Sequence, residues 1–125
     1  MELRLTTAEL RATDLRRDIV AYLKREASAN SDFAAAELIV GELLANVVRY
    51  APGSVEIDVF WEDGYAVFEI RDAGKHFTYP RPQPEASQTS GHGLRLAAAL
   101  ARDLVVRRAN DHGNVVRAVL PVARN

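Results

Sequence analysis

Residues 33–53 read FAAAELIVGELLANVVRYAPG, and the distribution of polar side chains within this run decides the fold. At a helical period Leu38, Ile39, Val40, Leu43, Leu44, Val47 and Val48 leave no broad face for water, which predicts a helix buried rather than laid on a surface. Glu42, Asn46 and Arg49 stand at i, i+4 and i+7 and share one narrow stripe. A carboxylate, an amide and a guanidinium on one edge of such a helix need a polar counterpart, because unpaired burial costs kilocalories.

Working outward, Glu2 to Leu5 alternates as a short strand, and Thr6 with Glu9 forms a capping-box signature for a helix from Thr7 to about Ala27. Its stripe is Ala8, Ala12, Leu15, Ile19, Tyr22 and Leu23; Ser31 or Asp32 then caps the central helix. After Gly53 the period becomes two. Val55, Ile57, Val59 and Trp61 share a face, Asp63-Gly64 signals a hairpin, and Ala66, Phe68 and Ile70 line the inner side of the return strand. Asp72 is in phase with them, so a second carboxylate points inward. Residues 75–90, KHFTYPRPQPEASQTS, carry no apolar repeat, and a loop of this length is commonly a lid. Gly91-His92-Gly93 opens a helix over Leu94 to Leu104, followed by strands Val105 to Ala109 and Val115 to Leu120 around a turn-forming run, with a frayed end from Pro121 to Asn125. Helices and mainly antiparallel strands are segregated, which predicts a single α+β domain over 1–125, a two-layer sandwich.

Composition removes several classes of function. The chain has 125 residues, a formal net charge of -1 and no cysteine, so thiol catalysis and cysteine-bound metals are excluded, and no global field recruits nucleic acid or an anionic membrane. No apolar run approaches the ~18 residues of a membrane span, and the opening segment lacks a signal-peptide pattern. A cytoplasmic location fits. The three histidines, His76, His92 and His112, have no metal-ligand spacing, and neither a P-loop nor a G-x-S-x-G motif is present.

Taken singly, Asp72-Ala73-Gly74 reads as a turn and Gly91-His92-Gly93-Leu94 as a loop end. Together they suggest more. A glycine-flanked helix N-terminus suits a phosphate, a carboxylate at a strand end can accept from an exocyclic amino group, an Asn oxygen can take a site on Mg²⁺, and a nearby Glu can accept a proton.

These residues resemble the ATPase superfamily shared by gyrase, histidine kinases, heat-shock chaperones and mismatch-repair proteins (GHKL). Glu42-Leu43-Leu44-Ala45-Asn46 looks like its N box, Asp72-Ala73-Gly74 like its first glycine box and Gly91-His92-Gly93-Leu94 like its second, with an ATP lid at about 73–93. The chain is most similar to the anti-sigma-factor serine/threonine kinases. The resemblance implies a Bergerat-type fold, with helices on one face of a mixed, mainly antiparallel sheet. It implies ATP and Mg²⁺, Glu42 as general base and Asn46 as metal ligand. It places Asp72 and Gly74 at the adenine, Gly91, His92, Gly93 and Leu94 at the phosphates, Arg49 as a phosphate contact, and Asn114 near the adenine. It further implies a small antagonist protein as substrate, a sigma factor as regulated partner, and a homodimer. The first glycine box of the family is commonly D-x-G-x-G, whereas Lys75-His76 follow Gly74 here. That departure keeps a second possibility in play, a partner-switching binding module with weak or no nucleotide binding.

Overall fold

A computed structural model describes residues 1–51, 53–74, 90–109 and 113–124. The elements are β1 (Glu2–Thr6), α1 (Ala12–Glu26), α2 (Phe33–Tyr50), β2 (Ser54–Glu62), β3 (Tyr65–Asp72), α3 (Ser90–Leu100), β4 (Asp103–Arg108) and β5 (Asn114–Ala123). Most of the lid, together with His76, Pro52, the Asn110-Asp111-His112 turn and Asn125, lies outside the described residues.

The five strands form one open sheet in the order β1-β2-β3-β5-β4, and every neighbouring pair is antiparallel. The sheet is therefore not mixed among the described residues, and the connections explain why. With two helices between them, the path from β1 to β2 reverses three times, an odd number, so β2 returns antiparallel. β3 and β4 run the same way, but β5 is inserted between them and no parallel pair forms.

Alternation sorts the side chains as expected. Val55, Ile57, Val59, Ala66, Phe68, Ile70, Val116, Ala118, Leu120 and Val122 face the helices and join Ile19, Leu23, Ile39, Val40, Leu43, Leu44 and Val47 in one core. The β2–β3 hairpin turns through Asp63 and Gly64, both at positive φ (53° and 85°), the combination whose twist matches the flanking strands.

Asp32 caps α2, its Oδ1 accepting from the Ala35 N–H at 3.0 Å, which contributes about 1 kcal/mol. α2 is not dry all round. Leu38, Val48 and Tyr50 are exposed (47%, 44% and 44%), because two layers leave nothing to cover the side of the helix opposite the sheet. One part of that side is roofed at Gly41, where a Cβ would stand 2.9 Å from Cδ of Arg16; the missing side chain lets α1 lay its Arg16 stem across α2. Arg16 continues to Glu37, 3.8 Å away.

Four boundaries differ from the sequence expectation. The Thr6–Glu9 hydrogen bonds form reciprocally, with the Thr6 N–H donating to Glu9 Oε1 (2.9 Å) and the Glu9 N–H to Thr6 Oγ1 (3.4 Å), yet they close a turn. Leu10 enters the core first, and α1 starts only at Ala12, behind an Arg11 N-cap that has no side-chain bond. α3 begins at Ser90, so the glycines belong to its first turn, and it ends at Leu100. β4 correspondingly starts earlier, at Asp103.

The segment from Pro121 to Arg124 is not frayed. β5 runs to Ala123, the Asp32 N–H donates to Pro121 O (3.0 Å), the Ser28 N–H donates to Ala123 O (2.7 Å), the Ala123 N–H donates to Ser31 Oγ (2.9 Å), and Arg124 bridges Ala27. The polar α1–α2 connection is thus pinned to the end of the sheet.

Candidate functional site

Asp72 is the last inward-facing residue of β3, and it is buried (6% exposed) together with Asn114 (1%), its cross-strand partner at the start of β5. Oδ1 accepts from the Gly74 N–H at 2.8 Å and from Asn114 Nδ2 at 3.2 Å. Oδ2 accepts from no described residue. A carboxylate with one oxygen anchored and the other open is an aimed acceptor, able to take a hydrogen bond from an amino group. The backbone around it is cleared of side chains. A Cβ on Gly74 would stand 2.8 Å from Cβ of Ala51, and one on Gly113, at φ +91°, would overlap the carbonyl oxygen of Asp72. Gly74 therefore ties the end of β3 to the end of α2, and Gly113 lets the backbone leading into β5 lie directly against the Asp72 carbonyl.

The second part of the site lies two to three turns back along α2. Glu42 and Asn46 are half-buried, not fully enclosed, so the expected cost of burying the stripe is reduced. Gly93 lies in the first turn of α3, and a Cβ there would stand 2.5 Å from Oε2 of Glu42. The carboxylate thus rests on the positive end of α3, whose first N–H groups have no intrahelical acceptor. From Glu42 to Ala51 is about 14 Å of helix at 1.5 Å per residue. The span suits an elongated anionic ligand with an amino-bearing ring at Asp72 and phosphates toward α3.

The remaining candidates divide. Gly91 and His92 lie in the backbone of the first turn of α3, the His92 side chain being outside the described residues. The Leu94 side chain is core (2% exposed), leaving only its backbone for a ligand. Arg49 is exposed, and its guanidinium lies 5.8 Å from the Tyr50 ring; among the described residues it makes no hydrogen bond or ion pair with the other candidates. Asn114 is placed more directly than a turn motif suggests, since strand register puts it opposite Asp72. Ala51, which fixes Gly74, was missed by sequence reasoning; alanine carries no chemical signal, and only the tight Gly74 contact exposes its part.

No group of three or more metal-ligating side chains occurs among the described residues. Asn46 offers an amide oxygen with the Glu42 carboxylate one turn away. That donor set fits Mg²⁺, which takes oxygen ligands and commonly shares them with substrate phosphates.

The sequence model of the family described as Histidine kinase-like ATPase domain matches residues 4–120. No curated protein matches the chain. No helix among the described residues is long and apolar enough to cross a membrane.

Proposed function

The chain belongs to the histidine kinase-like ATPase family, and from that membership we propose that it is an ATP- and Mg²⁺-dependent protein serine/threonine kinase of the anti-sigma-factor type. Its substrate would be a small antagonist protein, and its regulatory target a sigma factor. Family membership supports ATP binding; the finer assignment rests on the residues.

The observation that carries it is the pairing of two half-sites along α2. At one end is Asp72, with one oxygen held by Gly74 and Asn114. At the other is Glu42, set against the first turn of α3. When bound, ATP supplies the phosphoryl group and Mg²⁺ neutralises its charge. Asp72 and Gly74 would hold the adenine, Asn46 the metal, and the N–H groups of α3 the phosphates. Glu42 takes the proton from the acceptor hydroxyl as its oxygen bonds to phosphorus and the bond to the leaving ADP oxygen breaks. The test is incubation with labelled ATP and candidate antagonist beside Glu42→Gln. Transfer that is unchanged in the variant defeats the kinase assignment.

A second function is favoured by Lys75-His76 replacing the usual glycine pattern and by the exposed Leu38 and Val48 on α2. It is a partner-switching module with little nucleotide affinity. Calorimetric titration with ATP and Mg²⁺ separates the two, since no heat at millimolar nucleotide supports the module.

A further inference from the structure

The helix side of the sheet ends in a row of three polar residues, one from each of three neighbouring strands. Asp72 on β3 is in register with Asn114 on β5, and Asn114 with Arg108, the last residue of β4. By alternation the row shares a face with Phe68 and Ile70, with Val116 and Ala118, and with Leu104 and Val106, all of which pack into or against the core. It presents an acceptor, an amide and a guanidinium in that order.

Arg108 breaks the pattern of its face. Leu104 and Val106 are half-buried, whereas Arg108 is exposed, and among the described residues it makes no hydrogen bond or ion pair. The cause is the position of α3. Only Ala101 and Arg102 separate α3 from β4, so the helix folds back over the strand, with its first turn toward the Arg108 end. That turn stops against Glu42, at Gly93, about 14 Å along α2 from Ala51. The floor at Arg108 is left uncovered. Asp72 does not neutralise it, because two strand spacings put their Cα atoms about 10 Å apart and Asn114 stands between them.

We propose that Arg108 is a nucleotide-binding residue that grips the α-phosphate; the assignment rests on the ATP binding proposed above. Two coordinates single out that phosphate. Along α2, Arg108 is level with Asp72 and Ala51, where the base belongs, and not with Glu42 and Gly93, where the transferred phosphate belongs. Across the sheet it is displaced from Asp72 toward α3, the direction in which the phosphates leave the base. The phosphate next to the ribose meets both conditions. A planar fork of N–H donors suits two non-bridging phosphate oxygens. Because the α-phosphate is untouched by transfer to an acceptor, Arg108 holds ATP and ADP alike.

The test is calorimetric titration of the full chain with adenosine, AMP, ADP and ATP, each with Mg²⁺, for the native protein, Arg108→Ala, Arg108→Lys and Arg107→Ala. Arg107 carries the same charge on the opposite face of the same strand, and both arginines are exposed, so neither substitution endangers the fold. Arg108→Ala should weaken AMP, ADP and ATP alike by about tenfold, the worth of one charged hydrogen bond, and leave adenosine unchanged. Arg108→Lys should recover part of the loss, since it keeps the charge without the fork. Arg107→Ala should leave all four ligands unchanged. A loss shared by adenosine, a loss confined to ATP, or a loss matched by Arg107→Ala overturns the assignment. A native chain that binds no phosphorylated ligand defeats the ATP-dependent reading and this assignment with it. Native binding with an indifferent Arg108→Ala defeats this assignment alone.

Discussion

Gly93→Ala separates what the site needs from what the fold needs. The glycine sits in the first turn of α3 at negative φ, where alanine is the better residue by about 1 kcal/mol. The added methyl group would stand 2.5 Å from Oε2 of Glu42, closer than carbon and oxygen tolerate, and 3.5 Å from its Cδ. What must give is the far end of a flexible side chain. The carboxylate swings off the helix end and forfeits a dipole interaction of about 0.3–1 kcal/mol. The two effects nearly cancel or favour alanine, so the melting temperature should stay level or rise by up to about 4 °C. Phosphoryl transfer should instead fall by about 10²-fold, because general-base catalysis contributes at least that much and needs the base in hydrogen-bond reach. The assay is thermal denaturation beside phosphotransfer, with Gly93→Ala also made in a Glu42→Gln background. If the glycine acts through Glu42, the double variant is no worse than Glu42→Gln alone. A melting temperature several degrees below wild type, or a further hundredfold loss in the double variant, refutes the reasoning.

Three other outcomes follow from geometry. Gly113→Ala should destabilise by at least about 2 kcal/mol in urea titration, because φ is +91° and the new methyl group meets the Asp72 carbonyl. Asn114→Ala removes one donor from a buried carboxylate and should cost about 1–3 kcal/mol while weakening nucleotide binding by calorimetry; unchanged affinity would remove Asn114 from the site. The Thr6 N–H, and then its hydroxyl, hold the Glu9 carboxyl below its ordinary value. A depressed carboxylate stabilises the turn above its unfolded pKa and loses that contribution as pH falls through the folded value. NMR titration of Glu9 should therefore show a lowered midpoint that moves up in Thr6→Ala.

The residues that made the site legible in sequence were those whose polarity contradicts their phase. Asp72 belongs with Phe68 and Ile70 by alternation and is buried with them; Glu42 and Asn46 interrupt an apolar helix and line its inner flank. What failed was local punctuation. The Thr6–Glu9 capping box is satisfied within a single turn, so its hydrogen bonds carry no information about whether a helix follows. Leu10 had to reach the core before one could start. Gly91 and Gly93 look like breakers to a local rule, yet they lie inside α3, and at Gly93 the reason is a clearance for a carboxylate from another helix. The outer side of α2 read as buried because its residues are apolar, and only the count of layers shows that nothing is available to cover Leu38 and Val48.

β5 is the last strand in sequence, yet it sits inside the sheet, between β3 and β4, and its end fastens the α1–α2 connection through Ser28, Ser31 and Asp32. The contact between Ser31 and Ala123 closes a loop of 92 residues. During synthesis β3 must therefore wait with an open edge, and α1, α2 and β1 to β3 cannot reach their final packing until β5 has been released. The entropy of closing so long a loop falls due late and all at once. Residues 1–124 should fold as one cooperative unit once β5 is available rather than piecewise from β1 onward, and the interval in which the β3 edge stands bare is when it is most exposed to misassociation.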